Sequence, residues 1–448
     1  MKKYKTQYEL MTTKPVPGLI VQLGIPTMAS MFVTSLYNMA DSYFVGQINT
    51  SASGATGVVL GLMAILQAIG FMFGHGSGSI ISRKLGQKDI ESARKFSATG
   101  FYLALAAGFL FLIFGTLLVT PLMRLLGSTD TILPYARTYA ICILCAAPAL
   151  LTSCVMNNIL RYEGRAVFAM IGLISGGIVN IFLDALFMVK MEMGILGAGL
   201  ATAISQYISW ALLLTMFLLK KTQTSLAVKY VKMDISIIGD IVTTGLPSLA
   251  RQGLASISTM LLNNAAAPYG DPAIAAMAIA NRISMLIFSA VLGIGQGFQP
   301  VAGFNYGAKK YSRLKQGFFF TLAFGTVLLG CASLIVYLNA GQCIRFFRDD
   351  PVVINIGIPA LHAQCIALFF IPFQVCNNMT FQSIGYKFNA TFLSSLRNGL
   401  IFIPVLLIFS AIWGLTGIQY AQAVADVMTS LVCIPFTVNF FAKLPKEE

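Results

Sequence analysis

Two stretches decide the fold: GHGSGSIISRKLGQKD, residues 74–89, and GQGFQPVAGFNYGAKK, residues 295–310. They lie 221 residues apart, and at that offset Gly74, Gly76, Gly86 and Lys88 fall on Gly295, Gly297, Gly307 and Lys309. The register extends in both directions. Gly24-Ile25-Pro26 falls on Gly245-Leu246-Pro247, Ala52 on Ala273, Asn157 on Asn378 and Gly164 on Gly385; with one residue dropped, Gly194-x-x-Gly197 falls on Gly414-x-x-Gly417. Matches held in register over a whole half mark a tandem duplication. The Gly74-His75-Gly76-Ser77-Gly78 run is superficially like a phosphate loop, but no strand precedes it and its repeat partner is Gly295-Gln296-Gly297. It reads as helix packing followed by a cytoplasmic turn.

The composition says what surrounds the repeats. Of 448 residues, 57% are hydrophobic and 10% charged, whereas soluble domains carry about 25% charged residues. Twelve apolar runs are long enough to cross about 30 Å of hydrocarbon: 17–45, 52–76, 96–122, 135–159, 167–189, 197–219, 237–266, 273–298, 317–342, 357–380, 388–411 and 416–441. The first run follows Lys2, Lys3 and Lys5 but is too long for a signal peptide and lacks a small-residue cleavage site, so it stays as a span. The expected fold is an all-α integral membrane protein of twelve transmembrane helices in two six-helix lobes around a central cavity. The lobes are residues 1–219 and 237–448, joined by a cytoplasmic linker at 220–236. Six spans per repeat make the repeats parallel.

A net charge of +14 does not point to nucleic acid, because the Lys and Arg residues sit in short loops rather than on one folded face. Twenty-two of them fall at the N-terminus and on the loops and tail of the same side, and five on the other side: Arg124, Arg137, Lys190, Arg345 and Arg348. That bias places both termini in the cytoplasm, in a multi-pass protein of the cell membrane. The eight Cys residues lie almost wholly inside apolar runs and read as small apolar residues, Cys142-x-x-Cys145 included.

Within the spans a few polar residues stand out. In VNIFLDALFMV, residues 179–189, Asn180 and Asp184 are four apart and share a helix face. A carboxylate at the bilayer centre costs roughly 2.5–3.5 kcal/mol on insertion scales, which makes it a functional candidate. Asp41 follows Tyr37 by four residues in the first span, and Thr202 supplies a hydroxyl in the sixth. Two buried carboxyls that share a site exchange a proton near neutral pH. Pro26 is expected to bend the first span. His75 and His362 are isolated, so neither a nucleophile with its base nor a ligand cluster is present and an enzyme is not expected. Arg251, Arg282 and Arg397 stand in the second-half spans with Asp426, and internal pairing, with Asp426 neutralising one of the arginines, is the simplest account of them.

Taken together, Gly-x-Pro in spans one and seven, Asp41 in ADSYFVGQ, the paired 74–89 and 295–310 loops, and Asn180 with Asp184 resemble the MATE (multidrug and toxic compound extrusion) transporters, over essentially the whole chain. The DinF-like and MepA-like bacterial branch is the most similar. The resemblance implies a V-shaped pair of lobes working by alternating access. It implies secondary-active antiport, with export of organic, mostly cationic compounds in exchange for protons or sodium ions. It implies that Asp41, Asn180, Asp184 and Thr202 form the ion site, sodium included, with Tyr37, Tyr139 and Asn157 at the substrate cavity. The NorM-like branch has carboxylates in spans seven and ten; here those spans offer Arg251, Gln252 and His362, so a second-half sodium site is not expected. No cofactor is expected, and the partners are small-molecule drugs, toxic cations and membrane lipids, for a monomer. The alternative is a flippase for lipid-linked saccharides of related fold, whose phosphates would need the three arginines.

Single cysteines substituted for Lys88, Lys221, Lys309 and Lys443 should be labelled only from the cytoplasmic side by an impermeant maleimide. External labelling at any two of them would overturn the twelve-span topology.

Overall fold

Hydrocarbon offers no partner to a backbone N–H or C=O, so an apolar chain of this kind must close its hydrogen bonds within each segment. The computed structural model describes residues 6–445 and, of Ser42, Gly46 and Thr50, the backbone alone; Lys2, Lys3 and Lys5 lie outside the described residues. No strand occurs among the described residues. Twelve helical elements follow the twelve expected runs: α1 Val16–Gly46, α2 Thr50–Gly86, α3 Ile90–Leu110, α4 Leu133–Tyr162, α5 Ala166–Asp184, α6 Gly194–Leu218, α7 Ile235–Ala266, α8 Asp271–Gly307, α9 Tyr311–Leu338, α10 Pro351–Ala367 with Ile371–Ile384, α11 Lys387–Ser395 with Phe402–Trp413, and α12 Leu415–Lys443.

Ten of these are long and apolar enough to cross a membrane, and α10 makes an eleventh once its two parts are joined. Those parts meet at a 53° bend, where Pro372 enters the second part without a backbone donor. The remaining element, α7, is continuous over 32 residues, but Asp240, Arg251, Gln252, Asn263, Asn264 and several Ser and Thr residues lower its apolar content. Helices α2 and α8 run about ten residues past the apolar runs that mark them, ending at Gly86 and Gly307 in turns that carry charge. Three segments wind more widely, as π-helix: 111–115, 185–190 and 396–400.

The duplication reappears in the geometry. Lys88 and Lys309, at one repeat position, both take left-handed backbone conformations, with φ of 63° and 59°. The next residue closes the same bond in each turn: Asp89 N–H donates to Lys84 O at 2.9 Å and Lys310 N–H to Asn305 O at 2.8 Å. Asn157 donates to the carbonyl of Ala169 at 3.0 Å, and Asn378 to that of Ala390 at 2.9 Å.

The helices form two compact units. Of the described residues, unit 1 holds 6–8 and 29–249, and unit 2 holds 9–28 and 250–445. The division falls inside helices, not in the 220–236 linker. α1 changes unit after Met28 and α7 after Leu249, each two residues beyond a helix-interior proline, Pro26 or Pro247. Both helices run through their prolines without a break. In unit 1 the first part of α7 lies against α2 so closely that a Cβ on Gly76 would strike the Ile241 carbonyl, and one on Gly245 the Met72 carbonyl. In unit 2 the first part of α1 lies against α8 in the same way, with Gly297 on Gly24. Small residues that let backbones approach are the usual means of packing helices in lipid.

At the end of α4 in unit 1, Glu163 is fully buried and accepts the backbone N–H groups of Gln223 and Thr224, both at 3.0 Å, and the Thr224 hydroxyl. Burial pushes its carboxyl above the ordinary range, while Thr224, Gln223 and Arg165 pull the other way. This side chain and Arg94 of α3, whose Nε donates to the Gln223 carbonyl at 3.2 Å, tie the segment after α6 to the bundle. All eight cysteines are free thiols.

Gly245→Ala should lower the thermal stability of the purified protein by an amount equivalent to about 1–3 kcal/mol of overpacking, measured as a melting shift in detergent. Gly239→Ala, where a Cβ would meet nothing within 4 Å, should leave the melting temperature unchanged or raise it. Equal shifts would show that the α2–α7 contact is not tight.

Candidate functional site

The site is assembled from α1, α4, α5 and α6 of unit 1, and glycines set how near those helices come. Gly172 and Gly176 seat α5 on Leu213 and Ser209 of α6, Gly177 seats it on Val33 and Tyr37 of α1, and Gly199 seats α6 on Cys142 and Tyr139 of α4. A Cβ at any of these would overlap its neighbour. The close approach brings polar side chains on four helices into one apolar interior.

Asp41, 5% exposed, accepts the Tyr139 hydroxyl on Oδ2 at 2.8 Å. Asn180 donates from Nδ2 to the Thr202 hydroxyl at 3.3 Å, and Thr202 also lies beside the Tyr139 hydroxyl. Asp184 has no exposed surface and is within electrostatic reach of Asp41. It is the last residue of regular α5, after which the backbone widens into the 185–190 π segment. Such widened turns are frequent at functional sites because they re-aim side chains without breaking the helix.

Hydrogen bonding in this group is unbalanced. Asp41 Oδ1, Asn180 Oδ1 and both carboxylate oxygens of Asp184 are buried without a partner among the described residues. All four atoms are acceptors while the carboxyls are ionised, and protonation turns one oxygen of a carboxyl into a donor. Buried polar atoms left unpaired cost about 1–3 kcal/mol each, so the cluster calls for a proton or a cation. An all-oxygen donor set suits a hard cation and would not hold a soft one. Among the described residues no group of three His, Cys, Asp or Glu side chains stands together, so any cation here relies on the amide and hydroxyl oxygens as well as the two carboxylates.

The other residues singled out in the sequence are placed as follows. Tyr37 packs on Gly177 beside the cluster. Asn157 donates from Nδ2 to the Ala169 carbonyl and so ties α4 to α5. His75 is buried and bonds Ser248 at 3.0 Å and Arg161 at 3.2 Å, while His362 stacks on Tyr337 at 4.0 Å. Arg397 and Asp426 pair in unit 2, Nε to Oδ1 at 2.7 Å. Nothing in the sequence marks Glu163, whose hydrogen-bond donors lie 60 and 61 residues on.

An all-helical bundle of apolar spans enclosing an acceptor-rich polar cluster is the architecture of an integral membrane transporter, and the comparisons with known proteins agree. The family model described as MatE matches residues 26–186 and 247–408, two segments that begin 221 residues apart. The chain belongs to the MATE family. The multidrug export protein MepA of Staphylococcus saprophyticus is 25% identical over 93% of this chain and 92% of its own. A multidrug resistance MATE family transporter of the MOP superfamily, solved in an outward-facing conformation, matches with a TM-score of 0.92 at 26% identity over all of both chains. A MOP superfamily transporter from Pyrococcus furiosus, whose structure is described by a binding pocket of reversed polarity that suggests a different function, matches with a TM-score of 0.93 at 25% identity, again over all of both chains. The MepA-like bacterial relatives and the many apolar spans make the chain an integral protein of the cell membrane.

Tyr139→Phe removes the one donor to Asp41 among the described residues without changing ring volume. It should lower melting stability by about 1–3 kcal/mol equivalent at a pH where Asp41 is ionised, with the deficit shrinking once Asp41 is protonated. A deficit that does not change with pH would mean that the Tyr139 bond is not to a carboxylate.

Proposed function

We propose that the chain is a secondary-active multidrug antiporter that exports organic, mostly cationic compounds in exchange for protons or sodium ions. What carries the reading is Asp184, fully buried in an apolar helix with neither oxygen bonded to a described residue. Asp41, Asn180, Asp184 and Thr202 form the coupling site, and Tyr37 and Tyr139 line the approach to it. An ion entering from outside satisfies the open acceptors and neutralises the carboxylates. A cationic drug held by the same charge and by the faces of nearby aromatic rings then loses its counter-charge and leaves. When the ion is released inward, the negative site is restored for the next drug. The two units alternate access to this site, the chain works as a monomer with both termini in the cytoplasm, and no nucleotide is consumed. No G-x-x-x-x-G-K-[ST] loop occurs in the sequence.

Ethidium efflux from proteoliposomes, driven separately by proton and sodium gradients, tests the reading. One gradient should drive efflux without nucleotide; efflux under neither would sink it. Binding of a fluorescent cation rather than of an anionic lipid head group separates it from the flippase alternative.

Asp184→Asn keeps shape and removes the titration. It should abolish gradient-driven efflux while the protein still folds, because loss of an intramembrane charge relieves a cost of a few kcal/mol. Asp41→Asn should impair efflux less completely. At the repeat-related positions Leu262 and Val405, both buried in the unit 2 core, substitution by Ala should lower stability by about 1–5 kcal/mol and leave coupling intact. Normal efflux with normal pH dependence in Asp184→Asn would reduce Asp184 to interhelical packing.

A further inference from the structure

Unit 2 has its own charged side chains at membrane depth, and coupling in unit 1 does not use them. Its spans carry Arg251, Arg282 and Arg397 against the single carboxylate of Asp426. The Arg397–Asp426 pair is built with care. Asp426, with 4% of its side chain exposed, takes Arg397 Nε on Oδ1 at 2.7 Å and Nη2 on Oδ2 at 3.5 Å. Gln422 adds a bond to Oδ1 at 3.2 Å, and Gln374 ties the Asp426 carbonyl to Ser430. The guanidinium carbon lies 4.6 Å from the ring centre of Phe288. Arg397 itself belongs to the 396–400 π segment of α11, and its side chain remains 24% exposed.

A guanidinium has five N–H donors arranged along two usable edges. Asp426 occupies the side edge, formed by Nε and Nη2. The end edge, formed by Nη1 and the second Nη2 hydrogen, bonds no described residue. An arginine edge in hydrocarbon is costly, and at membrane depth such groups face a bundle interior or a wet cavity. Fork-shaped pairing with a planar oxyanion is what this edge is shaped for. A second cation is close by. Arg251 of α7 bonds Asn378 at 3.1 Å, and Asn378 in turn bonds Ser394, three residues before Arg397 on the same helix.

We propose that Arg397 is an anion-recognition residue of unit 2: its free edge binds a carboxylate borne by the transported compound, with the aromatic part of that compound beside Phe288, while Asp426 holds the guanidinium in place. The substrates would then include amphipathic aromatic compounds that carry a carboxylate as well as a cationic group. This rests on the exporter reading above and narrows it to a substrate class.

The test compares tetramethylrhodamine, which carries a free carboxylate, with its methyl ester, which does not, by fluorescence anisotropy on the purified full-length protein in nanodiscs. The wild type should bind the acid about tenfold more tightly than the ester, the yield of one charge-assisted hydrogen-bonded pair. Arg397→Lys keeps a charge against Asp426 but has no second edge, and the double variant Arg397→Gln/Asp426→Asn keeps a neutral pair; both should lose the preference and bind acid and ester alike. Equal binding of acid and ester by the wild type, or a preference that survives in both variants, overturns the proposal. So does displacement of the acid by short-chain phosphatidylglycerol that is lost in Arg397→Lys, since that assigns the edge to a lipid phosphate. Binding needs no gradient, so a wild type that exports the ester yet shows no preference refutes this assignment alone and leaves the exporter reading standing.

Discussion

Everything in this molecule follows from the absence of water around its spans. Backbone groups that cannot reach solvent close on themselves, which makes every span a helix, and helices that gain nothing from excluding oil must gain from contact. That second requirement explains the glycines. Gly76 and Gly245 in unit 1, Gly24 and Gly297 in unit 2, and Gly172, Gly176, Gly177 and Gly199 around the polar cluster are each placed where a Cβ would overlap a neighbour. The same dryness makes the open acceptors of Asp41, Asn180 and Asp184 matter. In water they would be unremarked; in a dry bundle each needs a partner, and the protein supplies none among its described residues.

The two repeats share a scaffold and differ in charge. The backbone angles at Lys88 and Lys309 and the interhelical bonds of Asn157 and Asn378 match closely, so these positions belong to the scaffold common to both copies. Asp41 and Asp184, by contrast, face Leu262 and Val405 across the repeat, and the carboxylate of unit 2, Asp426, is held by Arg397. One copy leaves its carboxylates open and the other neutralises its own.

Much of this could be read in the sequence, because apolar length, glycine register and the cost of a buried carboxylate are all local quantities. The twelve helices and the pairing of Asp426 with an arginine follow from such quantities, whereas the grouping of Asn180 with Thr202 comes only with the family resemblance. What was not legible depends on distant partners or on polar extensions. The last turns of α2 carry Arg83 and Lys84 and those of α8 carry Gln296, Gln299 and Asn305, so neither looks like span, the bend in α10 needs the position of Pro372 relative to a helix end, and Glu163 finds its donors on a segment 60 residues on. Asn157, which the family resemblance puts at the substrate cavity, also joins α4 to α5 through a carbonyl twelve residues on, a bond that nothing local announces.

The repeat encoded in the chain and the unit that folds are not the same object. The groove at Gly76 in the first copy is filled by Ile241 and Gly245 from the second, and the groove at Gly297 in the second is filled by Gly24 from the first. A chain cut at the linker would therefore give two halves that each lack the segment its own groove needs and carry one shaped for the other. A single-repeat ancestor could have closed its groove only by borrowing that segment from a sister copy, so the crossed helices preserve, within one polypeptide, the reciprocal exchange of a two-chain assembly.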